Sequence, residues 1–171
     1  AVQAAEEKRK KASADQAAFK KKVYDRKRIM RRSLLLSAPV TFVLIVISIT
    51  VTILGGLGSG SQLTQWLSIT SYELGEVAYE FDESLPEIQR GQVWRLITPI
   101  FIHASILLPP FGLLHILFNM LWLRELGQML EKAQGRRGIL TKVLVLALLS
   151  NLGEFALSGP AFGGMSGVVF G

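Results

Sequence analysis

The chain has 171 residues, half of them hydrophobic and 19% charged, with a mean hydropathy of +0.38, a balance that excludes an ordinary soluble domain and fits a polytopic membrane protein. Its net charge of +6 does not point to nucleic acid, because residues 1–33 hold twelve of the nineteen Lys and Arg against four acids; a basic run directly before an apolar span sets membrane orientation and touches anionic lipid. There is no cysteine, so disulfides and thiolate metal sites are excluded.

Residues 1–33, rich in Ala, Lys, Arg and Gln, have too few large apolar residues to build a core and read as a basic cytosolic tail. Residues 34–171 read as a membrane domain. Leu34 to Leu57 is a 24-residue stretch without a charge, long enough to cross a bilayer with some tilt. Pro39 falls in its first turns, where a missing N–H is tolerated, and the glycine-rich run from Gly55 to Ser61 ends it. A loop of about fifty residues follows, with two surface-lying amphipathic pieces, Gln62 to Ile69 and Trp94 to Ile102. Trp66 and Trp94 suit an interfacial aromatic belt. After Pro109 and Pro110 a second span runs from about Phe111 to Leu126. A tight turn from Gly135 to Gly138 leads to a third, Ile139 to Leu157. Ser158, Gly159 and Pro160 then turn the chain into a glycine-rich helix start, predicted from Gly164 onward. Eight residues rise only about 12 Å as a helix, against a hydrocarbon core of roughly 30 Å, so this fourth span is expected to continue beyond Gly171.

Charge alternates along these segments. The tail carries +8, the first loop six acids against Arg90 and Arg95, and the stretch from Arg124 to Lys142 five basic residues against two acids. The positive-inside rule puts the tail and second loop in the cytoplasm and the acidic loop outside. Ser166 is then expected just below the outer surface. Glu154, in the third span one or two turns from its outer end, reads as interfacial.

Chemistry concentrates in the second span and at the chain's last helix start. His115 and Asn119 are four apart, on one helix face that Trp122 continues. Intramembrane polar groups serve packing or function, and two donors one turn apart suit an oxyanion site. Gly164-Met165-Ser166-Gly167 places a hydroxyl between glycines where backbone can come close and helix N–H groups are free for an anion. Gly163, Gly167 and Gly171, spaced by four, predict a glycine face for another helix, with Ser166 pointing about 100° away.

Trp94-Arg95, then His115-Ile116-Leu117-Phe118-Asn119, then Ser158 through Phe170 resemble the rhomboid family of intramembrane serine proteases over roughly residues 85–171. The resemblance implies an all-α, polytopic helical bundle, with three complete spans and the start of a fourth here, that cuts membrane-anchored proteins within or beside a transmembrane segment. By it Ser166 is the catalytic nucleophile; His115, Asn119 and the Ser166 N–H assist the oxyanion. Gly164, Gly167, Trp94 and Arg95 form the supporting motif, and Glu131 resembles a structural acid near the cytosolic end of the second span. It implies no cofactor or metal, no nucleic acid, transmembrane proteins as substrates within the lipid bilayer, and location in the bacterial cytoplasmic membrane with the site towards the outer face. The family's base histidine lies two spans past the serine helix, which leaves the dyad incomplete here. Of the two histidines present, His115 is assigned to the oxyanion and His103 to a structural or interfacial role in the loop. The alternative reading is a catalytically inactive relative that binds transmembrane segments; retention of Ser166 with His115 and Asn119 argues against it.

Overall fold

The computed structural model describes residues 6–7, 9–18, 34–55, 61–74, 79–103 and 111–171; the whole basic run from Lys20 to Arg32, the glycines at 56, 58 and 60, and the Pro109-Pro110 segment lie outside them. The chain divides into two compact units, Ala1–Ser37 and Ala38–Gly171. In the first, residues 9–18 are helical and exposed, and Leu34–Ser37 forms one helical turn.

The second unit opens with α1, Pro39–Leu54. The sequence predicts an unbroken span from Leu34 to Leu57, and the structure shortens it at both ends. Ala38 sits at φ −154°, ψ 71° because a proline excludes the helical region for the residue before it, and Pro39 takes the first helical position, where its absent N–H costs nothing. At the far end the Gly55 N–H closes the helix on the Val51 carbonyl at 2.7 Å. Sixteen residues give about 24 Å.

The first loop is folded. Helix α2, Gln62–Leu67, starts at a reciprocal cap in which Ser61 and Thr64 exchange side-chain and backbone hydrogen bonds. A hairpin of β1, Tyr72–Leu74, and β2, Tyr79–Phe81, follows, pairing Tyr72 with Phe81 and Glu73 with Glu80. It is the one departure from the all-α expectation among the described residues, and strands of three residues are too short for alternation to announce them. Next come α3, Pro86–Gln89, and two 3-10 turns, Val93–Leu96 and Thr98–Phe101.

The helical stretch Phe111–Ser158 is broken by Gly135 at φ 74°, ψ 176°, giving α4 (111–134) and α5 (136–158). A single left-handed residue makes the turn, which glycine alone adopts without penalty. Gly138, predicted to end the turn, is already helical. Gly112–Ser158 is the one stretch among the described residues that is long and apolar enough to cross a membrane, and α1 is a shorter apolar helix. The last helix, α6, is Ser166–Phe170.

Burial is inverted relative to a water-soluble protein. On α1 the buried positions are Thr41, Leu44, Ser48 and Thr52, whereas Val46, Ile49 and Ile53 are exposed. Leu113, Phe118 and Leu149 are 57%, 50% and 62% exposed, while Asn119 and Glu131 are each 4% exposed. This pattern suits an apolar surrounding, where polar and small groups gain most by turning inward. The core joins Leu44 of α1, Leu123 of α4, Ile139, Val143 and Ala147 of α5, and Met165 and Val168 at α6.

One crossing fixes α1 against α4. A Cβ on Gly127 would lie 2.8 Å from the Thr41 methyl, so glycine lets the two backbones approach. One turn on, the Glu131 carboxylate accepts hydrogen bonds from the Val40 and Thr41 N–H groups, both at 2.9 Å, and from the Thr41 hydroxyl at 2.8 Å. A carboxylate from another helix thus caps the start of α1, satisfying donors that have no intrahelical partner.

Candidate active site

The site rests on the first loop. The buried Arg95 gives Nη1 to the carbonyls of Gln65 and Ser68, both at 2.7 Å, and Nε to Gln92 Oε1 at 2.8 Å. Trp94 stacks tilted on Trp66 at 5.1 Å and donates Nε1 to the Trp66 carbonyl at 3.4 Å. The Thr98 hydroxyl donates to the Leu67 carbonyl at 2.7 Å, and Asn151 of α5 donates Nδ2 to the Leu96 carbonyl at 2.9 Å. Trp94 and Arg95 therefore organise the loop from within. At its other edge, Glu87 accepts from the Thr70 hydroxyl and the Ser71 N–H. Burial raises this carboxyl, but the hydrogen bonds from Ser71 and Thr70 overcome that and hold it at about 2.

Against this platform lies the segment leading to α6. Gly159 turns the chain at φ 80°. The Gly164 N–H donates to the Pro99 carbonyl at 3.0 Å, and a Cβ on Gly163 would stand 2.8 Å from the Ile102 carbonyl. Gly164 itself has φ 115°, and a Cβ there would lie 2.7 Å from His115 Nε2. Two requirements, a left-handed backbone and room for an imidazole, thus meet at one glycine.

The register of α4 and α6 follows from two contacts. His115 meets Gly164, and seven residues further along α4 the ring of Trp122 meets that of Phe170 edge-on at 6.4 Å. The two segments run in parallel, so Asn119 and Ser166 fall at the level between these contacts. Asn119 is buried and donates Nδ2 to the His115 carbonyl at 2.8 Å. Its Oδ1 and the Nε2 of His115 are buried with no hydrogen-bond partner among the described residues. Ser166, half-buried, is the first residue of its helix, where an N–H has no intrahelical acceptor.

A cavity of about 530 Å³ opens over this arrangement. It is lined by Thr64, Ser68, Tyr72 and Phe81 from the loop, Ile102 and His103, His115 from α4, Ser150, Asn151 and Glu154 from α5, and Pro160 to Gly164 with Gly167. Gly164 and Gly167, on either side of Ser166, line it with His115; Ser166 and Asn119 do not.

His103, expected in a structural or interfacial role in the loop, is 3% exposed; its ring meets that of His115 edge-on at 5.7 Å, and its Nδ1 lies 3.1 Å from the Phe101 carbonyl. Burial lowers its pKa to about 4, the Phe101 carbonyl opposing and His115 adding to the effect, so the ring is neutral near pH 7. The glycine face predicted for another helix is already filled within these residues. Gly163 precedes α6 and faces Ile102; a Cβ on Gly167 would collide with the Ser150 side chain, and one on Gly171 would stand 3.0 Å from Leu146. Helix α5 occupies that face.

Sequence reasoning also missed Ser150 and Asn151, whose one signal was a Ser-Asn pair inside an apolar span. It missed Tyr72 and Phe81, which carry no signal until the hairpin forms.

Residues 90–171 match the rhomboid domain family. Curated relatives include the rhomboid protease GlpG of Salmonella choleraesuis strain SC-B67, 36% identical over 134 residues, which cover 78% of this chain and 41% of that protein. Those of Salmonella paratyphi A and Salmonella typhi are 35% identical over the same coverage. The chain spans about two fifths of the length of these relatives.

Proposed function

The chain belongs to the rhomboid family, and from that premise we propose that it acts as an intramembrane serine endopeptidase cleaving membrane-anchored proteins within or near a transmembrane segment. The observation that carries this reading is the unpartnered His115 Nε2, buried against Gly164 two residues before Ser166. A buried polar atom without a partner is costly, and a developing oxyanion at this place would supply one.

In the proposed reaction the Ser166 hydroxyl attacks the scissile carbonyl while a general base takes its proton. The negative oxygen receives hydrogen bonds from His115 Nε2–H, from the Asn119 Nδ2 hydrogen not engaged by the His115 carbonyl, and from the Ser166 N–H. Collapse transfers the proton to the leaving amine, and water resolves the acyl-enzyme by the reverse path. The three spans are α1, α4 and α5, with α6 beginning a fourth. Asymmetry of charge supports a cytosolic N-terminus and a site towards the outer face.

The test is made on the full-length gene product in proteoliposomes with a transmembrane peptide substrate. Ser166→Ala should abolish both cleavage and labelling by a fluorophosphonate, and His115→Ala and Asn119→Ala should each lower kcat by roughly 10²-fold with helicity intact. Parental turnover in the latter two would reduce His115 and Asn119 to interhelical packing.

A further inference from the structure

Glu154 is left over from the mechanism. It lies on α5 one turn beyond Ser150, the residue packed on Gly167, and among the described residues it is the only carboxylate lining the cavity. Among those residues no Lys or Arg lines that cavity, and Glu154 makes no ion pair. His103, whose ring meets that of His115, is held neutral by burial and cannot compensate it. The loop above the cavity is itself acidic, with Glu73, Glu80, Asp82, Glu83 and Glu87 against Arg90 and Arg95.

An exposed carboxylate in the wall of a cavity that it shares with aromatic side chains and glycines attracts cations, and no basic side chain among the described lining residues opposes it. Walls of low polarity focus that field, so the charge acts on whatever enters. We propose that Glu154 makes this cavity selective for substrates carrying a Lys or Arg on the outer side of the cleaved bond. The inference rests on the proteolytic reading for its site and adds to it a class of substrate. Its placement follows from the fold: α5 runs towards Gly159 and the mouth, so Glu154 stands further out than Ser150 and meets the substrate beyond the reacting carbonyl.

Three transmembrane peptides, identical except for Lys, Gln or Glu placed in turn at each of the first three residues outside the bond cut in the Gln parent, are bound to the full-length Ser166→Ala protein in neutral-lipid proteoliposomes and read by energy transfer. If the Gln parent is not cut, the three residues next to the peptide's outer membrane boundary take their place. The Lys peptide should bind about five- to tenfold more tightly than the Glu peptide at one position at least, the range expected of a solvent-accessible charge pair counted as attraction against repulsion. Glu154→Gln should level the two, and Glu154→Lys should reverse the order. Equal binding of all three peptides at every position overturns the proposal, as does a Lys preference that survives Glu154→Gln. Because binding is read on a protein that cannot cleave, this result is separate from the Ser166-dependent cleavage that tests the enzymatic reading.

Discussion

Replacing Glu131 tests the crossing that holds α1 to the rest of the membrane unit. Glu131→Ala leaves three donors without their acceptor: two backbone N–H groups and the Thr41 hydroxyl. A buried donor deprived of its partner costs about 1–3 kcal/mol. The first N–H groups of a helix can turn to water when any reaches them, so the lower end applies to Val40, whose bond is only partly buried, and the middle to the buried Thr41 pair. The sum is about 5 kcal/mol, before any relaxation. At roughly 3 °C per kcal/mol for a unit of this size, the midpoint of thermal unfolding should fall by about 15 °C. Glu131→Gln keeps an acceptor oxygen for one or two of the donors and loses the charge opposite the helix start, so its shift should be about half as large. Unfolding in detergent micelles followed by fluorescence of Trp66, Trp94 and Trp122 alongside far-ultraviolet circular dichroism measures both. Midpoints within about 2 °C of the parent for Glu131→Ala would show that the three bonds contribute nothing net, and the account of this crossing would fail.

The neighbouring contact predicts a coupling. Gly127→Ala should be strongly destabilising because its Cβ meets the Thr41 side chain, and Thr41→Ala should partly rescue it, with an interaction energy of about 1–2 kcal/mol in a double-mutant cycle; strict additivity would exclude the steric explanation. For pH, His103 has a folded pKa of about 4 against an ordinary 6.5, so the unfolded state binds more protons between these values and stability should fall as pH drops from about 6.5 to 4. Glu87, lowered from 4.5 to about 2, adds a second loss between those two values; His103→Phe should flatten the first window and leave the second. For orientation, cysteines placed at Ser13, Ser84 and Ala133, all exposed, should react with an impermeant thiol reagent on intact cells only at position 84. Reaction at 13 or 133 with 84 protected inverts the topology.

What the sequence disclosed depended on range. Apolar runs announced α1, α4 and α5, since hydropathy is a local property, yet their ends were misjudged wherever one residue decided them. Pro39 stops helix at Ala38 by a steric rule that was readable in advance, and it was read only as tolerated. Gly135 turns the chain alone, where a tight turn over Gly135 to Gly138 was expected. His115, Asn119 and Ser166 were legible because spacing places them on faces and at a helix start. The place of His103 was not, because only the packing of the loop against α4 brings its ring to His115. Gly167 was assigned to a face for another helix without saying which, for the same reason: its spacing showed that something approaches, and Ser150 on α5 is what does.

The bond between Glu131 and the beginning of α1 joins groups 90 and 91 residues apart, and this has a consequence for biosynthesis. During translation at about 5–20 residues per second, α1 is complete roughly 4–15 s before its acceptor exists. Through that interval the N–H groups of Val40 and Thr41 need another partner, since lipid offers none. The start of α1 must therefore wait among headgroups and water, with Pro39 removing one further donor from the account, and settle to its final depth only when α4 has been made and brings its carboxylate alongside.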